Sequence, residues 1–348
     1  MNSLERLIAS SKGEPTDRVP VAPGIGHYAA VMAGKPLTQV AYDPELMAKV
    51  VLQSLERHGY DSISPITDDG LGTECMGSKV IIRDREQIFV SSFPVESNKD
   101  IARLKIPDPM KHGRMPIIIK CEQILVEKVG TCIGVNGGLA GPLSFAANLR
   151  GTGNILYDVV DRPELVHNLL EISLEAIKSF GEAQVIHGGV NTINIYEPVA
   201  TLISSRMVEE FSFSYLEGLI RFLKGLGAKV LLHICGDTKR LLNRMVEIGA
   251  DIVSLDVDVD LVEAKRIIGG RASISGNVSI QHLATSSSDV IYAESCECIR
   301  KAAEGGRFTL SSSCEVPLET PPVNIDAMVR AAREYGGFIP HKINREND

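Results

Sequence analysis

Eight short apolar runs, each followed by a stretch of helical periodicity, recur along the chain, and this alternation limits its fold more than any other feature. A parallel strand buries both faces and needs a helix to cover it, so eight such pairs in succession suggest a sheet that closes on itself. The runs are 19–22, 62–65, 132–136, 192–196, 229–235, 252–255, 272–276 and 308–312. Helical patterns fill 44–58, about 115–129, 155–184, 205–225, 239–248, 261–268, 288–304 and 323–335. A short amphipathic helix opens the chain, residues 77–95 read as an inserted β-hairpin, and the glycines of 137–142 read as the turn that ends strand three. The rival architecture is an open doubly wound sheet, but no G-x-G-x-x-G follows the first run. The expectation is one α/β domain over residues 1–348, a (β/α)8 TIM barrel with an N-terminal helical extension and a hairpin insert.

Such a barrel needs about 250 residues, and the chain has 348. With 44% hydrophobic and 23% charged residues, there is material for a large core and no compositional sign of disorder. A net charge of −8 argues against a nucleic-acid partner, which would call for clustered Lys and Arg. The N-terminus lacks the apolar core of a signal peptide and no apolar run approaches membrane-spanning length, so the expectation is a soluble, cytoplasmic protein without a membrane partner. The seven cysteines are odd in number and scattered, which fits reduced thiols better than a disulfide framework and leaves metal binding open.

Chemistry in these barrels sits at the C-terminal ends of the strands. There the sequence places His27 after strand one, Asp68 and Asp69 after two, Asn136 at three, Glu197 after four, His233 and Cys235 at five, Asp256 after six, Asn277 after seven and Cys314 after eight. In His233-Ile234-Cys235 the two donors are two apart on a strand, so both face the same side and can grip one ion. With Cys314 they make a His-plus-two-Cys set that leaves a fourth tetrahedral position open, as catalytic zinc sites do. Spacing alone equally allows three buried strand residues, since free Cys packs as a small hydrophobe.

The acidic residues carry two readings each. Asp256 is a candidate fourth ligand or a base, with helix capping as the plainer role; Glu197 could reach the metal or hydrogen-bond His233, or sit at a helix N-terminus. The pair is the expected catalytic set, Asp256 first. Asn136, Gly137, Gly138 and Asn277 are the expected cofactor-contacting residues, the glycines by offering backbone N–H groups to an anion or, as readily, by making a tight turn. Cys296 and Cys298 lie two apart on a helix, on different faces, and do not suggest a shared metal.

Taken together, these residues resemble the uroporphyrinogen decarboxylase superfamily and, within it, the methylcobamide:coenzyme M methyltransferases. The likeness covers nearly the whole chain: the opening Lys12-Gly13-Glu14-Pro15-Thr16-Asp17-Arg18-Val19-Pro20-Val21, the stretch Asp43-Pro44-Glu45-Leu46-Met47-Ala48-Lys49, the glycine turn, and Gly276-Asn277-Val278-Ser279. The family's His-x-Cys and late Cys are matched by His233, Cys235 and Cys314, which the resemblance makes zinc ligands. Its acidic residue after strand six is Glu, where this chain has Asp256. The decarboxylases carry an arginine-rich segment after strand one for porphyrin propionates; here it reads Pro23-Gly24-Ile25-Gly26-His27-Tyr28-Ala29-Ala30, with no arginine, which argues against decarboxylation. The resemblance implies methyl transfer from a methyl-Co(III) corrinoid to a small thiol such as coenzyme M. No Asp-x-His-x-x-Gly cobalamin-binding pattern occurs, so the corrinoid is expected on a separate, transiently docked protein. The alternative within this chemistry is demethylation of an ether, amine or methanol onto Co(I).

Overall fold

The computed structural model of the protein describes residues 1–337. Strand β1 (Ser62–Ile63) is followed by the antiparallel hairpin β2 (Lys79–Ile81) and β3 (Phe89–Ser92), and then by β4 (Gly134–Ala140), β5 (Thr192–Tyr196), β6 (Lys229–His233), β7 (Ile252–Ser254), β8 (Ser273–Val278) and β9 (Phe308–Ser312). Apart from the hairpin, all belong to one parallel sheet in the order β1-β4-β5-β6-β7-β8-β9. The segment read as strand one joins its two edges. Val21 bridges Leu310 in β9, with Leu310 N–H donating to Pro20 at 2.9 Å and Ala22 N–H to Leu310 at 2.8 Å, while Asp61 N–H donates to Val21 at 2.7 Å beside β1. The sheet thus closes as a (β/α)8 barrel with a hairpin insert, and the missing regularity at 19–22 reflects a segment bonded only at isolated positions.

Two elements depart from expectation. Residues 137–140 do not end strand three; they are part of β4. Glycine is required there for close approach, since a Cβ on Gly137 would strike Gln184 and Ile193, and one on Gly138 would sit 2.8 Å from Thr67 Oγ1. The single helical pattern at 155–184 is two helices, Thr152–Asp161 and Pro163–Ala183, and a further helix, Pro142–Arg150, precedes them. Gly151, at φ +90°, turns the chain between Pro142–Arg150 and Thr152–Asp161, and Pro163 starts the last helix at a first-turn position where its missing N–H costs nothing.

The alternation of strand side chains decides what the barrel holds. Ile193, Ile195, Val230 and Leu232 point outward and are fully buried under the helices. The residues between them, including Asn194, Tyr196, Lys229 and His233, line the interior. In β8 and β9 the inward positions are Ser273, Ser275, Thr309 and Ser311. Barrels of this kind are usually filled by bulky branched residues; small polar ones leave a cavity of about 620 Å³ along the axis.

The N-terminal helix Ser3–Lys12 stoppers the lower end of that cavity. Its start is fixed by a capping box between Asn2 and Glu5, and its end by Gly13 at φ +77°. Leu4, Leu7 and Ile8 face the cavity. Arg6 anchors the helix through Asp17 and the fully buried Asp61, each at 2.7 Å. Among the described residues, no helix is long and apolar enough to cross a membrane.

Candidate metal centre and barrel mouth

The upper end of the cavity is where the polar residues gather. His233 ends β6, Cys235 follows two residues on with the same orientation, and Cys314 lies just beyond β9. One donor atom from each can be chosen so that all three lie within 4.8 Å of one another, with Cys235 Sγ 3.4 Å from His233 Nε2. Zinc at roughly 2.3 Å from sulfur and 2.0 Å from nitrogen spaces tetrahedral ligands about 3.5–3.8 Å apart, so this set fits with little adjustment. Each donor is held from behind. His233 is 3% exposed, and its Nδ1 meets Ser254 Oγ at 3.1 Å from the paired position in β7, which turns Nε2 toward the sulfurs. The Cys314 carbonyl accepts from Ser312 Oγ at 2.6 Å, and Ser313 N–H donates to Val278 at 2.7 Å. The two thiols titrate as a pair: the Cys235 S–H donates to Cys314, which holds the Cys314 thiol below its usual range and pushes Cys235 up. The shared proton is the one that a metal bound at this pair would displace.

Asp256 does not join the donor cluster. Its Oδ2 accepts the Gly236 N–H at 2.7 Å and its Oδ1 the Val257 N–H at 2.7 Å, so it fixes the turn after Cys235. Glu197 points away from the cavity. Fully buried, its carboxylate accepts from Leu143 N–H at 3.0 Å, Ser144 N–H at 2.7 Å and the Ser144 hydroxyl, capping the helix Pro142–Arg150. Burial drives its pKa up to about 7 against these hydrogen bonds. The expected catalytic pair therefore acts on backbone rather than on a ligand.

The cofactor-contacting set divides. Asn136 and Gly138 line the cavity. Gly137 faces outward, against Gln184. The Gly138 N–H is taken by Gln184 Oε1 at 2.9 Å and the Gly141 N–H by the Tyr196 carbonyl at 2.7 Å, so these glycines have no donors left for an anion. Asn277 is 7% exposed and its amide donates to the carbonyls of Asp256 at 2.9 Å and Val259 at 2.8 Å, tying down the turn after β7.

His27, Asp68 and Asp69 sit at the mouth as their strand-end positions led one to expect, and the structure adds Glu315, Arg114 and Tyr196, which the sequence did not single out. Glu315, next to Cys314, accepts from the His27 backbone N–H at 2.8 Å and meets His27 Nδ1 at 2.7 Å. Burial alone would lower the His27 pKa, but Glu315 outweighs it and the net shift is upward. Arg114 grips Asp68 through two contacts of 2.6 and 3.1 Å and also pairs with Glu74 at 3.0 Å. Asp69 lines the cavity and is exposed at its mouth, where the surrounding protein, with Asp68 and Glu315 nearby, raises its pKa to about 6. Tyr196, at the end of β5, sets its ring centroid 6.2 Å from that of His233. Ser254 was discoverable by register, since it follows from counting along strand six to the level of His233.

A parallel barrel with a polar, partly hollow interior and a His-Cys-Cys cluster at its C-terminal mouth defines a class, and comparison with known proteins gives the family. The family model described as Uroporphyrinogen decarboxylase (URO-D) matches residues 2–335, and the chain belongs to that family. A methylcobamide:CoM methyltransferase, MtaA, of Methanosarcina barkeri is 31% identical over 340 residues, covering 95% of this chain and 97% of its own. A uroporphyrinogen decarboxylase of Myxococcus xanthus is 24% identical over 347 residues, covering 95% of this chain and 97% of its own. Among solved structures, a methyltransferase from Methanosarcina mazei superposes with a TM-score of 0.87 at 29% identity, covering 96% of this chain and 99% of that one.

Proposed function

We propose that this chain is a zinc-dependent methyltransferase that moves a methyl group from a methyl-Co(III) corrinoid, carried on a separate protein, to a small thiol. The observation that carries this reading is the His233-Cys235-Cys314 cluster, three zinc-type donors at the top of a cavity of about 620 Å³. Support comes from relatives whose names give methylcobamide and coenzyme M as reactants. That the sequence carries no Asp-x-His-x-x-Gly cobalamin-binding pattern supports a corrinoid carried by a partner.

Bound at these residues, zinc would hold the acceptor sulfur as thiolate at neutral pH. The chain's own groups then orient that sulfur. Ser254 fixes the His233 ring and Asp256 fixes the turn that carries Cys235. Asp256 and Glu197 are engaged by backbone N–H groups and do not line the cavity, whereas the Asp69 carboxylate does and is the chain's own group that could take the thiol proton. A sulfur lone pair forms the new C–S bond while the Co–C bond breaks, and its electron pair stays on cobalt, which leaves as Co(I). The cavity below the cluster takes the body of the thiol and leaves the outer side open to the corrinoid.

Free methylcobalamin serves as donor in the test. Demethylation that requires both added thiol and one zinc per chain, with both zinc and turnover lost in Cys314→Ser, is the expected result. A zinc-free active protein overturns the reading, and an equal rate without thiol favours demethylation chemistry in its place.

A further inference from the structure

Which thiol the site takes is set by the groups that surround its mouth, and those groups include hydrogen-bond acceptors without partners. The Asp69 carboxylate lines the cavity with no hydrogen bond or ion pair of its own. His27 is 2% exposed and, with Nδ1 on Glu315, leaves Nε2 buried and unpartnered. Asn194 is 8% exposed; its amide N–H₂ donates to the Tyr196 hydroxyl at 3.3 Å, and its Oδ1 has no partner. All three side chains face the same cavity. A buried acceptor left unsatisfied, as Asn194 Oδ1 is, is costly, and the exposed Asp69 carboxylate on the same cavity has no partner among the described residues, so the arrangement suits a ligand that brings donors.

Charge points the same way. The network at the mouth holds four carboxylates, Asp68, Asp69, Glu74 and Glu315, against at most two cations, Arg114 and His27. Arg114 is spent on Asp68 and Glu74, and His27 on Glu315. Among the described residues, the lysine or arginine that lines the cavity is Lys229, at the far end of β6, where its Nζ donates to Ser11 Oγ at 3.0 Å. Four residues of strand put it about 13 Å from His233, out of reach of a two-carbon thiol held at the cluster. A sulfonate would enter a mouth that already holds an excess of carboxylates over cations.

We propose that the methyl acceptor is a short aminothiol whose protonated amine is received by Asp69, with Asn194 Oδ1 as a further acceptor. An ammonium brings a positive charge and three N–H donors. This rests on the thiol methyltransferase reading and narrows it to a charge class.

Three thiols of equal carbon length separate the possibilities: 2-aminoethanethiol, 2-mercaptoethanol and 2-mercaptoethanesulfonate. Each is assayed as acceptor with methylcobalamin and, independently of turnover, by titrating the thiolate charge-transfer band of the Co2+-substituted protein. The amine is expected to exceed the alcohol at least tenfold in both kcat/KM and affinity, with the sulfonate weakest. In Asp69→Asn the amine-to-alcohol ratio falls to about one, a comparison made within a single variant and so indifferent to its yield. A sulfonate preferred to the amine, or an amine-to-alcohol ratio that survives Asp69→Asn, overturns the assignment while leaving thiol methylation standing. If no thiol is methylated yet the amine still binds tightest, the transfer reading fails and the charge class holds.

Discussion

His233 can present Nε2 to the two sulfurs because Ser254 Oγ occupies Nδ1. That hydroxyl is not a ligand, so its loss separates orientation from donor count. Ser254→Ala is expected to weaken zinc binding by roughly 10–100-fold while leaving one site per chain, as measured by competition with a chromophoric chelator; unchanged affinity would show that Ser254 has no part in the site. At this scale the sequence was informative where strand period fixes direction. His233 and Cys235 share a face by alternation, and Cys314 meets them because strand eight closes against strand one. It was uninformative for Glu197 and Asp256, whose carboxylates turn toward backbone N–H groups at 143–144 and 236. A partner 54 residues away leaves no trace in local spacing. The unpartnered acceptors at Asp69 and Asn194 were equally hidden, since only the folded mouth shows which groups have already been paired.

Each strand and helix is held to the barrel by a few buried polar contacts as well as by apolar packing. The helix Pro142–Arg150 begins at Gly141, which has no side chain to cap it, and Glu197 supplies the missing acceptors from the end of β5. Glu197→Ala would leave those N–H groups buried without partners and is expected to cost about 2 kcal/mol of unfolding free energy in urea denaturation. A loss under 0.5 kcal/mol would show that the cap is dispensable. The elements most legible in the sequence were those with clear boundaries: the helix Pro44–His58 between Asp43 and Gly59, and the strands at 192–196 and 308–312. The glycines of 137–140 misled because a turn and a tightly packed strand both need residues without side chains. The break before Pro163 was lost inside a continuous apolar periodicity.

Taken whole, the molecule is a closed sheet whose outward faces are packed tightly and whose inward face is not. Small polar side chains hollow it, the N-terminal helix closes it below, and the donor cluster sits at its open end. Stability therefore rests on the outer layer, and a metal held by His233, Cys235 and Cys314 would add to a fold that does not need it. Chelation is expected to lower the thermal midpoint by about 5 °C with the helical circular dichroism intact below the transition; unfolding on chelation would make the metal structural. The central claim, that a substrate thiol completes the coordination of a zinc held by His233, Cys235 and Cys314, is tested most directly by zinc-edge X-ray absorption on the loaded protein. The account predicts one nitrogen, two sulfurs and one oxygen at rest, becoming one nitrogen and three sulfurs, with Zn–S near 2.3 Å, once thiol is added. A coordination shell that stays at two sulfurs with saturating thiol would contradict it.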